Sequence, residues 1–344
     1  MEIRKVQVTG GSSFVVTLPK EWAEQQKLKK NDPVGILIQP DGSLLVSRKI
    51  NEEPVQRIKE IDASTITEPA YLFRLLIGTY ITGFNLVRIT AKNKLQPFVR
   101  TVVRDYIRMT IGQEVVDETE QGITIKDLLN PSEMPFENTI KRMYVIVRAM
   151  HEDALAAFAA CDRTLAQDVI QRDMDADRLN WLVSRQTNMI LQNSNLSRKM
   201  GITMGVAMHY AQLSRIIERI GDHAVRISEN ALPLMACDID PKIKTALREA
   251  SSLSLKLFDR SIVSFFNSNI KDAHRTIEAI AELEEACTRI NNMALTQETA
   301  VAISVGYMAE SIRRSGEYAA DISENVINFL VEGDFPARKA RPGK

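Results

Sequence analysis

The chain has three cysteines in 344 residues, Cys161, Cys237 and Cys287, far apart and with no Cys-x-x-Cys spacing. That excludes a disulfide framework or a thiolate zinc site and suits a reducing cytoplasm. The four histidines never occur as Glu-x-x-His, the pair that ferritin-like di-iron proteins use. Neither sign of charge dominates, with 44 basic and 44 acidic residues, so affinity for nucleic acid has to come from a local patch. The most apolar run, Tyr71 to Phe84, is 14 residues long and contains Arg74, too short and too charged for a transmembrane segment. The opening residues, Met1 to Val6, lack the apolar core and cleavage site of a signal peptide. A Gly-rich phosphate loop and a nucleophile constellation are also missing. These absences predict a cytoplasmic protein that is not an enzyme and acts by binding.

What is present is a repeat. Gly221-Asp222-His223-Ala224-Val225-Arg226-Ile227-Ser228-Glu229-Asn230 returns 95 residues later as Gly316-Glu317-Tyr318-Ala319-Ala320-Asp321-Ile322-Ser323-Glu324-Asn325. Both copies end long stretches with helix-period apolar spacing, which points to a duplicated helical bundle.

The spacing predicts an α+β chain. Residues 1–49 read as strand, turn, strand, short helix, strand, turn, strand, with Pro19 opening the helix and Pro40-Asp41-Gly42 marking a hairpin. So small a β unit buries little apolar surface alone and is expected to dimerise. Residues 50–135 read as a small α/β connecting domain: helices over 52–61, 68–83 and 97–111, a strand at 86–90, and a hairpin from Val115-Val116 and Ile123-Thr124-Ile125. Asn130-Pro131 and Pro135 bound it. Helices are expected over 136–160, 163–194, 200–231, 240–268, 270–295 and 298–331, three in repeat one (136–234) and three in repeat two (235–331). Trp181, Met200, Met204 and Met208 are assigned to the core. The basic stretch 332–344 lacks periodicity and is expected to be disordered.

Asp173 and Asp177 lie four residues apart, on one helix face, as do Glu218 and Asp222 on the next long helix. If these helices are antiparallel neighbours, four carboxylates converge on an all-oxygen site for a hard or borderline cation: iron, manganese, zinc or magnesium. Such acid pairs also arise by chance on solvated helix faces. His223 is either a further ligand or a packed side chain. In the N-terminal part Arg4, Lys5, Lys20, Lys27, Lys29, Lys30, Arg48 and Lys49 outnumber Glu2, Glu21, Glu24, Asp32 and Asp41, a modest excess for attracting phosphates.

Two resemblances attach to these residues. Val8 to Trp22 (Val-Thr-Gly-Gly-Ser-Ser-Phe-Val-Val-Thr-Leu-Pro-Lys-Glu-Trp), followed by Leu28 and Asp32-Pro33-Val34, resembles the AbrB/MazE/SpoVT swapped-hairpin domain. This implies an interlocked homodimer that binds DNA, with Arg4 and Lys5 foremost among contacts that include Lys20, Lys29 and Lys30. Arg172 to Leu179, followed by Ile217 to Ala224 and Ile227-Ser228-Glu229, resembles the PhoU phosphate-signalling family over residues 136–330. The combination is similar to archaeal PhoU-like proteins.

The second resemblance implies two three-helix bundles, with Asp173, Asp177, Glu218 and Asp222 as metal ligands. Repeat two departs from the pattern, since Arg313 replaces the first acid, leaving Glu278, Glu282 and Glu317 as a weaker second site. Arg313 could instead pair with Glu282 or Glu317. The resemblance further implies regulation of phosphate uptake and homeostasis, with a phosphate ABC transporter or a sensor kinase as partner. Two rival readings are an AbrB-type transcription regulator whose bundle is only an oligomerisation scaffold, and a carboxylate-bridged di-metal enzyme.

Overall fold

A computed structural model describes residues 2–38, 42–48 and 56–332, in two compact units, 1–56 and 57–344. In the first, β1 (Gln7–Thr9) pairs antiparallel with β2 (Ser13–Val15), and β3 (Gly35–Ile38) with β4 (Leu44–Ser47). Gly10 and Gly11 make the first turn at φ +65° and +83°, a region that only glycine enters freely. Helix α1 (Lys20–Gln25) lies between the hairpins. None of the described residues of this unit is buried. Val8, Phe14 and Ile38 are 62%, 79% and 81% exposed, although strands stabilise a fold by covering one face.

The second unit begins with a four-stranded sheet in the order β5 (Ile58–Asp62), β6 (Leu86–Thr90), β8 (Gly122–Asp127), β7 (Gln113–Glu118). Helices α2 (Pro69–Ile81) and α3 (Pro97–Met109) cover it through Leu72, Leu76 and Tyr80 and through Val99, Val103 and Tyr106. This is the expected α/β fold with one correction. Residues 58–61 form a strand, not a helix, because parallel pairing with β6 satisfies their backbone and overrides a local helical spacing. Residues 51–55 and the basic stretch from 333 lie outside the described residues.

Then come α4 (Phe136–Ala160), α5 (Arg163–Gln192), α6 (Ser194–Met200), α7 (Met204–Leu234), α8 (Pro241–Asn267), α9 (Ile270–Glu278), α10 (Ile280–Ala294) and α11 (Thr299–Glu332). Asp240 caps α8 by accepting from the Lys242 N–H at 2.8 Å, with Pro241 in the first turn. Between the helices expected over 163–194 and 200–231 an additional two-turn helix forms, because the Asn193 side chain ends α5 and caps α6 by accepting from the N–H groups of Asn195 and Leu196. The helix expected over 270–295 is interrupted at Ala279. Met204 and Met208 are each 51% exposed; they lie outside the core because the first turns of α7 bury Val206 and Ala207 instead.

The repeated glycines have one physical cause. A Cβ at Gly221 would stand 3.3 Å from Val147 Cγ2 of α4 and 3.9 Å from Ala176 Cβ of α5; at Gly316 it would stand 2.1 Å from Leu283 Cδ2 of α10. In each repeat the long last helix thus takes a neighbour directly against its backbone. Gly316→Ala is expected to destabilise the protein by about 1–3 kcal/mol, as overpacking of a filled core does, because Leu283 is fully buried and has to change rotamer. Urea unfolding of the variant beside Gly306→Ala, where the nearest neighbour is 3.9 Å away, checks this.

Helix α5 also holds the sheet domain. Arg185, 1% exposed, donates to the carbonyls of Tyr80 at 2.5 Å and Phe84 at 2.9 Å, and pairs with Asp127, whose side chain is 4% exposed. Asn188 donates to the Ile81 carbonyl at 3.1 Å. Two side chains of α5 therefore satisfy the last carbonyls of α2, which have no partner within their own helix.

Candidate functional site

Asp173 and Asp177 stand on α5 and face α7, where Gly221 leaves room. The Asp173 Oδ1 atom lies 3.9 Å from where a Cβ on Gly221 would be, so that carboxylate sits over the backbone between Glu218 and Asp222. Burial pushes the Asp173 carboxyl up to about 6, helped by the charges of Asp177, Asp222 and Glu229. Burial also pushes Glu218 up to about 7, with Asp222 adding to it and Arg215, 2.9 Å away, opposing it. Asp177 is raised by burial and by Asp222, while the Arg215 charge and then the neighbouring Glu218 side chain hold it back. Asp222 is raised by burial and held back by Arg215, Arg226 and Arg219.

Each of these shifts has burial as its leading cause, and the neighbouring acids add to most of them. Asp173 Oδ1 and Glu218 Oε2 are buried without a hydrogen-bond partner. Buried carboxylate oxygens of this kind suit a hard cation, so the donor set fits a metal. The coordination shell is not formed in these rotamers: among the described residues no three acidic, histidine or cysteine side chains stand close enough to hold an ion. Glu229, two helical turns beyond Asp222, was not anticipated, although a seven-residue spacing on one helix face is a legible signal.

His223 packs instead of facing the carboxylates. Its ring lies 5.7 Å from that of its repeat counterpart Tyr318, and it is 7% exposed. Burial lowers its pKa to about 4, with Arg226 and Arg314 contributing. The three acids of repeat two are not brought together. Arg313 and Arg314 both pair with Glu317, Glu278 pairs with His274 at 3.4 Å, and Glu282 lines a groove with Lys256 and Arg289. Two guanidiniums stand beside Glu317, where repeat one leaves acids crowded.

The N-terminal cations are exposed. Arg4 pairs with Glu2 at 2.7 Å and donates to Thr17 at 2.9 Å, and Lys20 lies 3.7 Å from Glu24. Lys5, Lys29 and Lys30 have no ion pair among the described residues. Among the described residues no helix is long and apolar enough to cross a membrane.

Residues 140–231 match the PhoU domain, and residues 7–56 match the antidote-toxin recognition domain of MazE, a bacterial antitoxin. A relative from Xylella fastidiosa, the phosphate-specific transport system accessory protein PhoU homolog, is 27% identical over 57% of this chain and 83% of its own length. The protein of the same description from Caulobacter vibrioides is 23% identical over 57% of this chain and 86% of its own length. The crystal structure of PhoU from Pseudomonas aeruginosa superposes with a TM-score of 0.52 at 17% identity, over 57% of this chain and 96% of that one. PhoU from Streptococcus pneumoniae, at 16% identity, gives 0.50 over 57% and 94%. The helical part of the chain thus has the PhoU fold and contains a PhoU domain match at residues 140–231, with a MazE-type segment ahead of it.

Proposed function

We propose that this protein regulates phosphate uptake and intracellular phosphate homeostasis by binding rather than by catalysis. The observation that carries the reading is the similarity of its helical part to relatives named as accessory proteins of the phosphate-specific transport system. In this reading a phosphate ABC transporter or a sensor kinase is the partner. The cluster of Asp173, Asp177, Glu218 and Asp222 takes up an iron, manganese, zinc or magnesium ion, whose charge would relieve four crowded carboxylates.

The N-terminal unit pairs two chains and carries the DNA contacts Arg4, Lys5, Lys20, Lys29 and Lys30. Its support is that no described apolar side chain there is buried and that Ile3, Val8, Phe14 and Ile38 are largely exposed, since an unpaired β unit of this size leaves its apolar face in water. Phe14→Asp is expected to shift the protein from dimer to monomer in light scattering. Salt-sensitive binding to duplex DNA should then fall steeply, because pairing doubles the phosphate contacts of a weakly basic surface. A dimer that survives the change refutes the pairing role.

The transcription-regulator reading is favoured by the same exposed strands. The two readings are separated by co-purification with the phosphate transporter and by promoter occupancy at high and low phosphate. Occupancy that ignores phosphate supply, with no transporter recovered, leaves the helical bundle as a scaffold and refutes the proposal.

A further inference from the structure

On the face of α5 away from the acidic cluster, a cavity of about 610 Å³ opens between α2, α3 and α5. That lies within the roughly 300–1,000 Å³ of small-molecule sites. Its apolar lining includes Phe73, Val102, Met109 and Met174, and Met174 is 51% exposed although it is a large apolar side chain. Three guanidiniums, from Arg74, Arg108 and Arg178, converge on the same space, one from each helix. The carboxylates lining it are Asp105 and Asp175. Asp175 is 3.9 Å from Arg178, a loose contact, and Arg178 Nε is buried without a partner. Arg74 and Arg108 have no ion pair among the described residues.

An apolar pocket with an aromatic ring on one side and several unclaimed guanidinium forks is matched by a ligand that is apolar and flat at one end and doubly anionic at the other. Guanidiniums bind phosphate in bidentate fashion and stack on planar rings. We propose that this cavity is a binding site for an organic phosphate with a planar body, the class to which mononucleotides belong. Met174, Asp175 and Arg178 belong to the same turns of α5 that carry Asp173 and Asp177. A ligand here would therefore press on the helix that sets the acidic cluster. The site stands on its own geometry and does not require that the cluster hold a cation or that the protein act on phosphate uptake.

The test is isothermal titration of the full chain with AMP, and separately with inorganic phosphate, ribose 5-phosphate and adenosine. AMP is expected to bind, with the three fragments roughly tenfold or more weaker. Arg74→Glu and Arg108→Glu should each weaken AMP by roughly tenfold or more, the effect of losing one charged hydrogen-bond partner. Both side chains are exposed, so the far-ultraviolet spectrum and melting temperature should not change. Phe73→Leu should lower affinity for AMP but not for ribose 5-phosphate. Absence of AMP binding, or binding indifferent to both charge reversals, overturns the proposal. Inorganic phosphate or ribose 5-phosphate binding as tightly as AMP also overturns it, since the cavity would then read only the anion.

Discussion

Arg185→Ala is expected to destabilise the second unit by about 3–5 kcal/mol, the usual effect of removing one partner from a buried ion pair. The change leaves the Asp127 carboxylate, 4% exposed, with no counter-charge, removes the Arg185 donor from the Phe84 carbonyl, and leaves the Tyr80 carbonyl with only the Gly83 N–H. It also removes a guanidinium that lies 4.9 Å over the Tyr80 ring. Asp127→Asn should be milder, since the amide oxygen and the carbonyls of Tyr80 and Phe84 still accept from Arg185, although its buried charge loses its counter-ion. Adding it to Arg185→Ala should recover part of the loss, which a double-mutant cycle measures. The damage should be local at first, so hydrogen exchange should rise at residues 80–84 and 123–127 before it rises in α7 and α11. Uniform exchange across the chain, or a loss under about 1 kcal/mol, would show that the sheet domain does not depend on this anchor.

The second large effect is expected at the acidic cluster of the metal-free protein. Asp173 and Glu218 have folded pKa values of about 6 and about 7, against 3.8 and 4.5 as ordinary values. The folded state therefore holds their protons more tightly than the unfolded chain does. The stability they contribute is present below about pH 4 and is lost as pH rises to about 7. Buried His151 and His223, both lowered to about 4, act in the opposite sense, gaining stability from pH 4 upward. These opposing contributions overlap in the wild-type profile, so only a difference isolates the cluster.

Asp173→Asn/Glu218→Gln is expected to match wild type near pH 4 and to exceed it by roughly 1–3 kcal/mol above pH 7, after discounting for partial exposure. A divalent cation should close that gap by stabilising wild type alone, by about 2.7 kcal/mol at a hundred times its dissociation constant, with protons released. Melting curves of both proteins at several pH values, with and without manganese, decide it. Parallel curves at every pH and no response to metal would remove both the electrostatic account and the metal site.

The repeat, the long helices and the faces that Asp173, Asp177, Glu218 and Asp222 share were all legible in the sequence. Each depends on spacing along one helix, and a 3.6-residue period is a local property. The pairing of Arg313 with Glu317 was legible for the same reason, because the two stand four residues apart on one helix. Strand β5 was misread as helix, since what makes it a strand is a partner 28 residues away in Leu86–Thr90.

The role of Arg185 carried no signal, because its partners Tyr80, Phe84 and Asp127 lie at separations of 58 to 105 residues. The arginine-rimmed cavity was equally invisible, being assembled from three helices that no period connects. Sequence alone determined which side chains share a helix face and where the repeated segment recurs. Tertiary structure decided which faces meet, which charges lose their water and which glycines carry a neighbour. Burial and proximity across long loops depend on packing, and no spacing rule encodes packing.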